Sequence, residues 1–268
     1  MTGLRILTAV VFGGLLLSLL LWAPAWVSAV LVVLVILDAA WEWTALLRLT
    51  APLTRWAYVL ATGACLALAW WATATPLALQ CLLGLAALWW LIAACWVAWA
   101  PQRHASLAGG VVAGWFTLVP AGVALLRLRL DWPQGLRWLL AALFLVWAAD
   151  TGAYFAGRWI GRHKLAPQVS PGKTWEGALG GLLLVCLLAA WAAPLLTMPR
   201  LPFAALCLVV GCFSIVGDLI ESLFKRHAGL KDSGRLLPGH GGMLDRIDSL
   251  LAAAPLLMLG ASLLGAGT

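Results

Sequence analysis

Residues 177–197 read GALGGLLLVCLLAAWAAPLLT, an apolar run without a charged side chain. About 20 such residues form a helix long enough to cross the hydrocarbon core of a bilayer. Comparable runs recur along the chain, in which 64% of the residues are hydrophobic and the mean hydropathy is +1.00. Only 10% are charged, against roughly 25% in an ordinary soluble domain. The sequence therefore predicts an all-α, polytopic membrane protein and excludes a water-soluble globule.

Nine apolar runs bounded by charged residues, proline or glycine predict nine membrane-spanning helices. The predicted spans are residues 4–22, 26–47, 57–74, 77–99, 107–126, 137–156, 177–197, 201–223 and 249–265. The first run also resembles a secretory signal, but the second follows almost at once and favours a retained span. The six cysteines lie inside these runs without a CxxC pair, which indicates a role in helix packing.

The distribution of basic residues predicts the orientation of the chain. With the N-terminus in the cytosol, 13 of the 17 Lys and Arg residues lie in cytosolic segments and 4 lie outside. Such an excess of basic residues is typical of the cytosolic segments of membrane proteins. Topology thus accounts for the net charge of +7, and no nucleic-acid partner is predicted.

Charged residues are concentrated in the second half of the chain, which contains all four lysines and seven of the ten acidic residues. We therefore predict a transmembrane scaffold over residues 1–135 and a catalytic region over residues 136–268. The catalytic region has two long polar segments, residues 157–176 and 224–248. Both fall on the predicted cytosolic side, so they can form one site.

The polar stretch over residues 221–248 reads ESLFKRHAGLKDSGRLLPGHGGMLDRID and combines three features of phosphate-binding sites. Basic side chains can bind phosphate oxygens, glycines let backbone N–H groups approach an anion, and carboxylates can hold Mg²⁺ together with substrate phosphates. The predicted catalytic residues here are Lys225, Arg226, Lys231, Asp232 and Arg246. The predicted substrate-binding residues are Gly239, His240, Gly241 and Gly242.

Four acidic residues are candidate metal ligands because of their spacing. Asp245 and Asp248 stand three apart near the start of the last predicted helix, and Asp218 and Glu221 stand three apart at the end of the eighth. An acid deep in a membrane span is costly unless it is paired, so a functional role is the default interpretation. The alternatives are an ion pair from Asp218 to Lys225 or Arg226, and stabilisation of a helix N-terminus by the later pair.

The segment SPGKTWEG, residues 170–177, precedes the seventh span. Ser170 followed by proline predicts a helix N-cap with proline at the first helical position. Such a helix start would direct free N–H groups and Lys173 toward an anion. Ser170, Lys173 and Thr174 are therefore predicted substrate-binding residues, and Lys173 is also a predicted catalytic residue. A P-loop is excluded because the required upstream glycine is missing and no strand is predicted before the segment. A helix cap without a ligand is the alternative.

Two further pairs of polar residues lie inside predicted spans. Asp150 and Tyr154 share a face at the end of the sixth span and are predicted to line the substrate site. The alternative for them is a hydrogen bond in helix packing. Asp38 and Glu42 share a face of the second span, where we assign no chemistry and expect pairing with an arginine such as Arg48.

These segments resemble the phosphatidate cytidylyltransferase family, also called the CDP-diacylglycerol synthases. The resemblance lies in the KDSG, PGHGG and DRID elements within residues 222–248. WAADTGAY, residues 147–154, and SPGKTWEG, residues 170–177, are similar to two further blocks of that family in the same order. The similarity covers about residues 147–250. The N-terminal part resembles the family only in that it consists of membrane spans.

The resemblance implies that CTP and phosphatidate react to give CDP-diacylglycerol and diphosphate in phospholipid biosynthesis, with a divalent metal. It implies that Asp218 and Asp245 are ligands of a Mg²⁺ centre with one or two ions, supported by Glu221 and Asp248. The expected mechanism is in-line attack of a phosphatidate oxygen on the α-phosphorus of CTP, aided by positioning and charge neutralisation. The expected partners are CTP, phosphatidate and membrane lipids, and a homodimer is compatible with the sequence.

The expected location is the bacterial inner membrane, with the active site facing the cytosol. One alternative function is a CTP-dependent polyprenol or phytol kinase, which would transfer the γ-phosphate, and the long signature argues against it. A lipid transporter is suggested by the intramembrane acids Asp38, Glu42 and Asp218. It predicts acids spread along a pathway through several spans, whereas the acids of this chain concentrate on one side.

Overall fold

The computed structural model describes residues 13–234, 236 and 241–266. These residues form nine helices and one two-stranded hairpin. The helices are α1 (Gly13–Trp22 within the described part), α2 (Ala25–Leu46), α3 (Pro52–Ala72), α4 (Pro76–Trp99), α5 (Leu107–Leu130), α6 (Gly135–Ile160), α7 (Trp175–Leu195), α8 (Arg200–Ala228) and α9 (Leu244–Leu263). The hairpin, between α6 and α7, pairs β1 (Lys164–Ala166) antiparallel with β2 (Ser170–Thr174).

The helices follow the predicted apolar runs in order, and seven of them are long and apolar enough to cross a membrane. The other two are α3, which is 21 residues long but less apolar, and the described part of α1. The predicted all-α, polytopic membrane fold is confirmed. Large apolar side chains such as Trp71 and Leu91 are exposed on the outer helices, where hydrocarbon rather than water is expected to cover them.

Helix α5 lies at the centre of the bundle and packs against α2, α3, α4, α6 and α9. Its side chains Ala121, Val123 and Ala124 are completely buried. The N-terminal half of the chain therefore does not form a separate body. Through α2 and α5 it packs against α9, which carries two of the candidate metal ligands.

Helices α6 and α7 pack with their backbones in close contact. A Cβ atom at Gly152 would lie 2.5 Å from the Gly180 carbonyl oxygen. Small residues permit such an approach between membrane helices. Because Asp150 lies on α6 and Lys173 immediately precedes α7, this contact brings two predicted segments of the site together.

The predicted N-cap at Ser170 is wrong, because residues Ser170–Thr174 form strand β2. Helix α7 starts one residue after Thr174, whose hydroxyl oxygen accepts a hydrogen bond from Gly177 N at 3.1 Å. Threonine is also a favourable N-cap residue, so the two positions compete in sequence. Glu176 decides between them, because it accepts hydrogen bonds from the backbone of Arg162 at 3.1 Å and of His163 at 3.2 Å. These bonds fold the chain back into a hairpin.

Three helices extend beyond the predicted spans at the end that carries the site. Helix α6 continues to Ile160, α8 continues to Ala228, and α9 begins at Leu244 instead of residue 249. Apolar runs end at the first charged residues, whereas the backbone helix continues past them. The candidate metal ligands Asp245 and Asp248 therefore lie within the first two turns of α9.

Candidate active site

A polar cavity lies between α6, α7 and α8 beneath the hairpin. Its volume is about 510 Å³, which is within the range of small-molecule sites. Among the residues predicted from the sequence, its wall contains Asp150, Tyr154, Lys173, Thr174 and Asp218. Three segments that are far apart in the sequence thus meet at one place.

An ion pair crosses this cavity between strand β2 and helix α8. Lys173 Nζ lies 2.6 Å from Asp218 Oδ2, and the two side chains are 25% and 30% exposed. Ser222 Oγ donates to the other carboxylate oxygen of Asp218 at 3.2 Å. The expected alternative, an ion pair of Asp218 with Lys225 or Arg226, is therefore not the one observed. Because the pair is partly exposed, both charges are accessible to a ligand.

Three carboxylates meet where α8 crosses α9. Asp218, Glu221 and Asp248 each place one oxygen within 4.8 Å of the others. The helices approach so closely because Gly217 has no side chain, and a Cβ atom there would lie 2.5 Å from the Asp248 carbonyl oxygen. Glu221 is only 2% exposed. We call Asp218, Glu221 and Asp248 the acidic triad.

The acidic triad has the ligand chemistry of a divalent cation site. Each of its three residues offers a carboxylate oxygen, the kind of ligand atom that Mg²⁺ prefers in proteins. Glu221 Oε1 is buried and has no hydrogen-bond partner among the residues that the structure describes. An unpaired buried oxygen is costly, and so is the repulsion between neighbouring carboxylates. A bound cation would remove both costs, so the residues present fit Mg²⁺.

Asp245 lies close to the triad but has different partners. Its Oδ1 is 2.6 Å from Lys225 Nζ, and its Oδ2 accepts hydrogen bonds from Ser233 N at 3.0 Å and Gly242 N at 2.8 Å. Both carboxylate oxygens are therefore engaged within the protein. The Asp245 carboxylate thus binds both ends of the segment from Ser233 to Gly242.

Glu42, which lies on helix α2, also binds residues at both ends of this segment. Its Oε1 accepts a hydrogen bond from Met243 N at 3.0 Å, and its Oε2 accepts from Leu244 N and Ser233 Oγ, both at 2.8 Å. The side chain is 4% exposed. Glu42 thus caps the N-terminus of α9, whose own N-cap residue makes no side-chain capping bond. We call Glu42, Ser233 and Asp245 the loop clamp.

The expected pairing of Glu42 with an arginine such as Arg48 is wrong. Arg48 instead donates a hydrogen bond to the His227 carbonyl oxygen. Free N–H groups at the start of a buried helix need an acceptor, and Glu42 supplies it over a separation of about 200 residues. The sequence signal for this role is only that an acid lies in an apolar span, which marks a function without indicating the partner.

Lys225 lies between the acidic triad and the loop clamp. Its Nζ is 2.6 Å from Glu221 Oε2 and 2.6 Å from Asp245 Oδ1, and the residue is 9% exposed. It was predicted to bind a phosphate. The structure places its charge between two carboxylates instead, where it balances part of their negative charge.

The other predicted residues lie around the site. Four of them are exposed and are not among the described residues that line the polar cavity, namely Arg226, Lys231, Asp232 and Arg246. Gly241 has a positive φ of 86°, which favours glycine, and Gly242 N donates to Asp245. Ser170 lies in strand β2. Gly239 and His240 lie outside the described residues.

Arg158 is a cavity residue that the sequence did not single out. It lines the polar cavity from the last turns of α6, and its Nη1 donates to the Tyr154 hydroxyl at 2.8 Å. Tyr154 therefore holds an arginine, and its predicted neighbour Asp150 faces the cavity one turn earlier. The described wall of the cavity thus carries two cationic side chains, Lys173 and Arg158, and two carboxylates, Asp150 and Asp218.

Comparison with known proteins gives a family for the whole chain. The model of the Cytidylyltransferase family matches residues 3–264. A phosphatidate cytidylyltransferase of Haemophilus influenzae is 40% identical in an alignment 275 residues long, which covers 94% of this chain and 95% of the relative. One of Brucella suis is 38% identical in an alignment 274 residues long, which covers 95% of this chain and 91% of the relative.

A third relative agrees with these two. The phosphatidate cytidylyltransferase of Pseudomonas aeruginosa is 40% identical over 224 residues, which cover 81% of this chain and 80% of the relative. These matches span the N-terminal helices as well as the site, so they extend the similarity beyond the second half of the chain. The chain belongs to the Cytidylyltransferase family.

Proposed function

We propose that this chain is a phosphatidate cytidylyltransferase, which transfers the cytidylyl group of CTP to phosphatidate and releases diphosphate. Family membership and the shared name of the similar proteins support a nucleotidyltransferase of this kind. The observation that carries the proposal is the polar cavity, whose wall contains Lys173, Arg158 and Asp218 of the acidic triad. Cations for phosphate and carboxylates for a metal then lie within one site.

The acidic triad is the proposed Mg²⁺ site. Mg²⁺ held by Asp218, Glu221 and Asp248 would neutralise negative charge on the phosphates during transfer. Asp245, a further ligand expected from the sequence, has both oxygens engaged by Lys225 and backbone N–H groups. We therefore propose that Asp245 fixes the chain around the site, and that the triad supplies the metal ligands.

The reaction needs positioning more than proton transfer. A phosphate oxygen of phosphatidate attacks the α-phosphorus of CTP, the bond from that phosphorus to the bridging oxygen breaks, and diphosphate leaves. The attacking phosphate is already ionised, so no strong general base is required. Lys173 and Arg158 are placed to bind phosphate oxygens of the two substrates and to orient them. On binding, Lys173 would exchange Asp218 for a phosphate, which leaves that carboxylate free for a cation.

The proposed site faces the cytosol of a bacterium. The polar cavity lies at the end of the bundle that carries the hairpin and Arg158, Arg162 and Lys164, and an excess of basic residues favours the cytosolic side. CTP, which is water-soluble, would enter from that side, and phosphatidate would keep its acyl chains in the bilayer. The similar proteins are bacterial, which supports the inner membrane. A homodimer stays a prediction from the sequence.

Position-specific labels in CTP test the proposed function. Purified protein in lipid nanodiscs is incubated with phosphatidate, Mg²⁺ and CTP labelled either at the α-phosphate or at the γ-phosphate. We expect the α-label in the lipid fraction and the γ-label in soluble diphosphate. Transfer of the γ-label to lipid would indicate a kinase instead. With both labels left in intact CTP, the proposed function would be wrong.

A further inference from the structure

An apolar depression borders the polar cavity on the other side of α7. It lies between the end of α4, the first turns of α7 and the middle of α8, and its volume is about 650 Å³. None of the described residues that line it carries a charge. We call it the apolar groove, and the residues used below to define it are Ala94, Leu182, Cys212, Val216 and Leu219.

The apolar groove and the polar cavity share a wall. Leu165 of the hairpin, Ala178 of α7 and Ile215 of α8 line both of them. Helix α8 separates the two environments within one turn, because Asp218 lies in the cavity while Leu219 lies in the groove. A molecule with one charged end and one hydrocarbon end can therefore occupy both spaces at once.

We propose that one acyl chain of the phosphatidate substrate lies in the apolar groove while its phosphate lies in the polar cavity. This inference rests on the proposed function. The path between them crosses Ala178, which has the smallest side chain of the shared wall and is 8% exposed. The phosphate would then meet Lys173 and Asp218 of the acidic triad. The cavity is less suited to an acyl chain, because its wall carries the charged side chains of Lys173, Arg158 and Asp218.

The groove is expected to orient the lipid rather than to increase its affinity. Hydrocarbon in the bilayer is about as apolar as a groove lined by leucine and valine, so moving an acyl chain between them changes little. A chain fixed in the groove does restrict where the phosphate at its other end can lie. Blocking the groove should therefore impair turnover of long-chain substrate and spare substrate whose chains are too short to reach it.

Cys212 allows the groove to be blocked at a distance from the chemistry. It is exposed on α8, lines the groove but not the described cavity wall, and precedes Asp218 by six residues, or about 9 Å of helix. In Cys212→Trp we expect kcat/KM for dioleoyl phosphatidate to fall at least tenfold and that for dihexanoyl phosphatidate to change less than about twofold. The matched control is Cys81→Trp, at an exposed cysteine of α4 outside the groove, which should change neither value.

The result that overturns the inference is equal behaviour of the two lipids in Cys212→Trp, whether both rates fall or neither changes. A second measurement does not depend on turnover. Wild-type protein is irradiated with phosphatidate that carries a diazirine in one acyl chain, and the adducts are mapped by mass spectrometry. We expect adducts on Ala94, Cys212 or Val216 that unlabelled phosphatidate suppresses. Phosphatidylcholine with the same chain should not produce them.

The control lipid separates substrate from bulk lipid. If phosphatidylcholine labelled the groove as strongly as phosphatidate, ordinary bilayer lipid would be its occupant and the inference would fail. Failure of the proposed function is distinguishable, because wild-type protein would then transfer no α-label from CTP to any phosphatidate. Active wild-type protein without adducts in the groove would refute the acyl-chain site alone.

Discussion

The acidic triad and the loop clamp are two carboxylate clusters on either side of Lys225, and they differ in how their oxygens are used. In the clamp, every carboxylate oxygen of Glu42 and Asp245 accepts a hydrogen bond or an ion pair from the protein. In the triad, Glu221 Oε1 is buried without a hydrogen-bond partner in the described part of the chain. The carboxylates of the clamp are thus satisfied by the protein itself, whereas the triad has an oxygen that is still available to bind a cation.

This difference separates residues that look equivalent in the sequence. Asp245 and Asp248 stand three apart on the same helix, yet one belongs to the clamp and the other to the triad. The clamp acts on the backbone, because it joins Ser233 to the first turn of α9. We therefore expect changes in the triad to affect turnover and changes in the clamp to affect stability first.

The largest expected effect comes from neutralising the triad. In Asp248→Asn or Asp218→Asn, kcat/KM should fall on the order of 10²-fold or more, because the proposed Mg²⁺ site loses a charge that would balance the ion. The Tm of Asp248→Asn should not fall, since this change also removes repulsion between neighbouring carboxylates. The measurements are turnover of α-labelled CTP over a Mg²⁺ titration and thermal unfolding in the same nanodiscs. Wild-type turnover at every Mg²⁺ concentration in Asp248→Asn would remove that residue from the metal site.

A somewhat smaller loss is expected in Lys173→Gln. The substitution removes the cation that pairs with Asp218, and a hydrogen bond to a charged group contributes about 1.5–3 kcal/mol, which corresponds to roughly 10–100-fold in kcat/KM. Lys173→Arg should recover part of the activity because it keeps the charge. Lys164→Gln, on the exposed face of the same hairpin, is the control. Equal losses in the two glutamine variants would mean that the hairpin needs positive charge in general.

Glu42→Gln tests the clamp through stability. An amide keeps one acceptor oxygen but turns an NH₂ group toward backbone donors, so at least one N–H of α9 loses its partner. We expect the free energy of unfolding to fall by about 1–3 kcal/mol, with a lower Tm. We expect kcat/KM to fall by about tenfold, less than in the triad variants.

The matched control for Glu42→Gln is Asp38→Asn, one turn earlier on the same helix. Asp38 Oδ2 has no hydrogen-bond partner among the described residues, so removal of its charge should not lower the Tm. If both variants lost the same stability, the cost would come from α2 as a whole and the capping role of Glu42 would be refuted.

Gly242→Ala should weaken the clamp by a steric route. A Cβ atom at Gly242 would collide with both carboxylate oxygens of Glu42 and with Ser233 Oγ. Overpacking of this kind typically costs about 1–3 kcal/mol. Gly172→Ala is the control, because a Cβ atom there meets no atom within 4 Å of the described structure. A Tm of Gly242→Ala equal to that of Gly172→Ala would show that the clamp can open without cost.

The sequence predicted the parts of the site that depend on local spacing. Lys173, Asp218 and Asp248, which the structure brings together, stand out in the sequence because charged residues are rare in the apolar runs of this chain. The hairpin was missed because its second strand begins with Ser170 and proline, which is also the pattern of a helix N-cap. The bonds that decide between the two come from Glu176. The role of Glu42 was missed because periodicity does not reveal a partner about 200 residues away.

The smallest expected effect concerns the cavity wall rather than either cluster. Tyr154→Phe removes the hydroxyl that accepts from Arg158, and Tyr154 is 57% exposed. Water can replace an exposed acceptor, so kcat/KM should change less than about threefold, in line with a net contribution of roughly 0.5 kcal/mol for such a bond. Arg158→Gln should cost more, because it removes the charge itself. If Tyr154→Phe instead matched Arg158→Gln, the hydroxyl would be needed to hold the guanidinium over the cavity, and the site would depend on positioning by α6 as much as by the clamp.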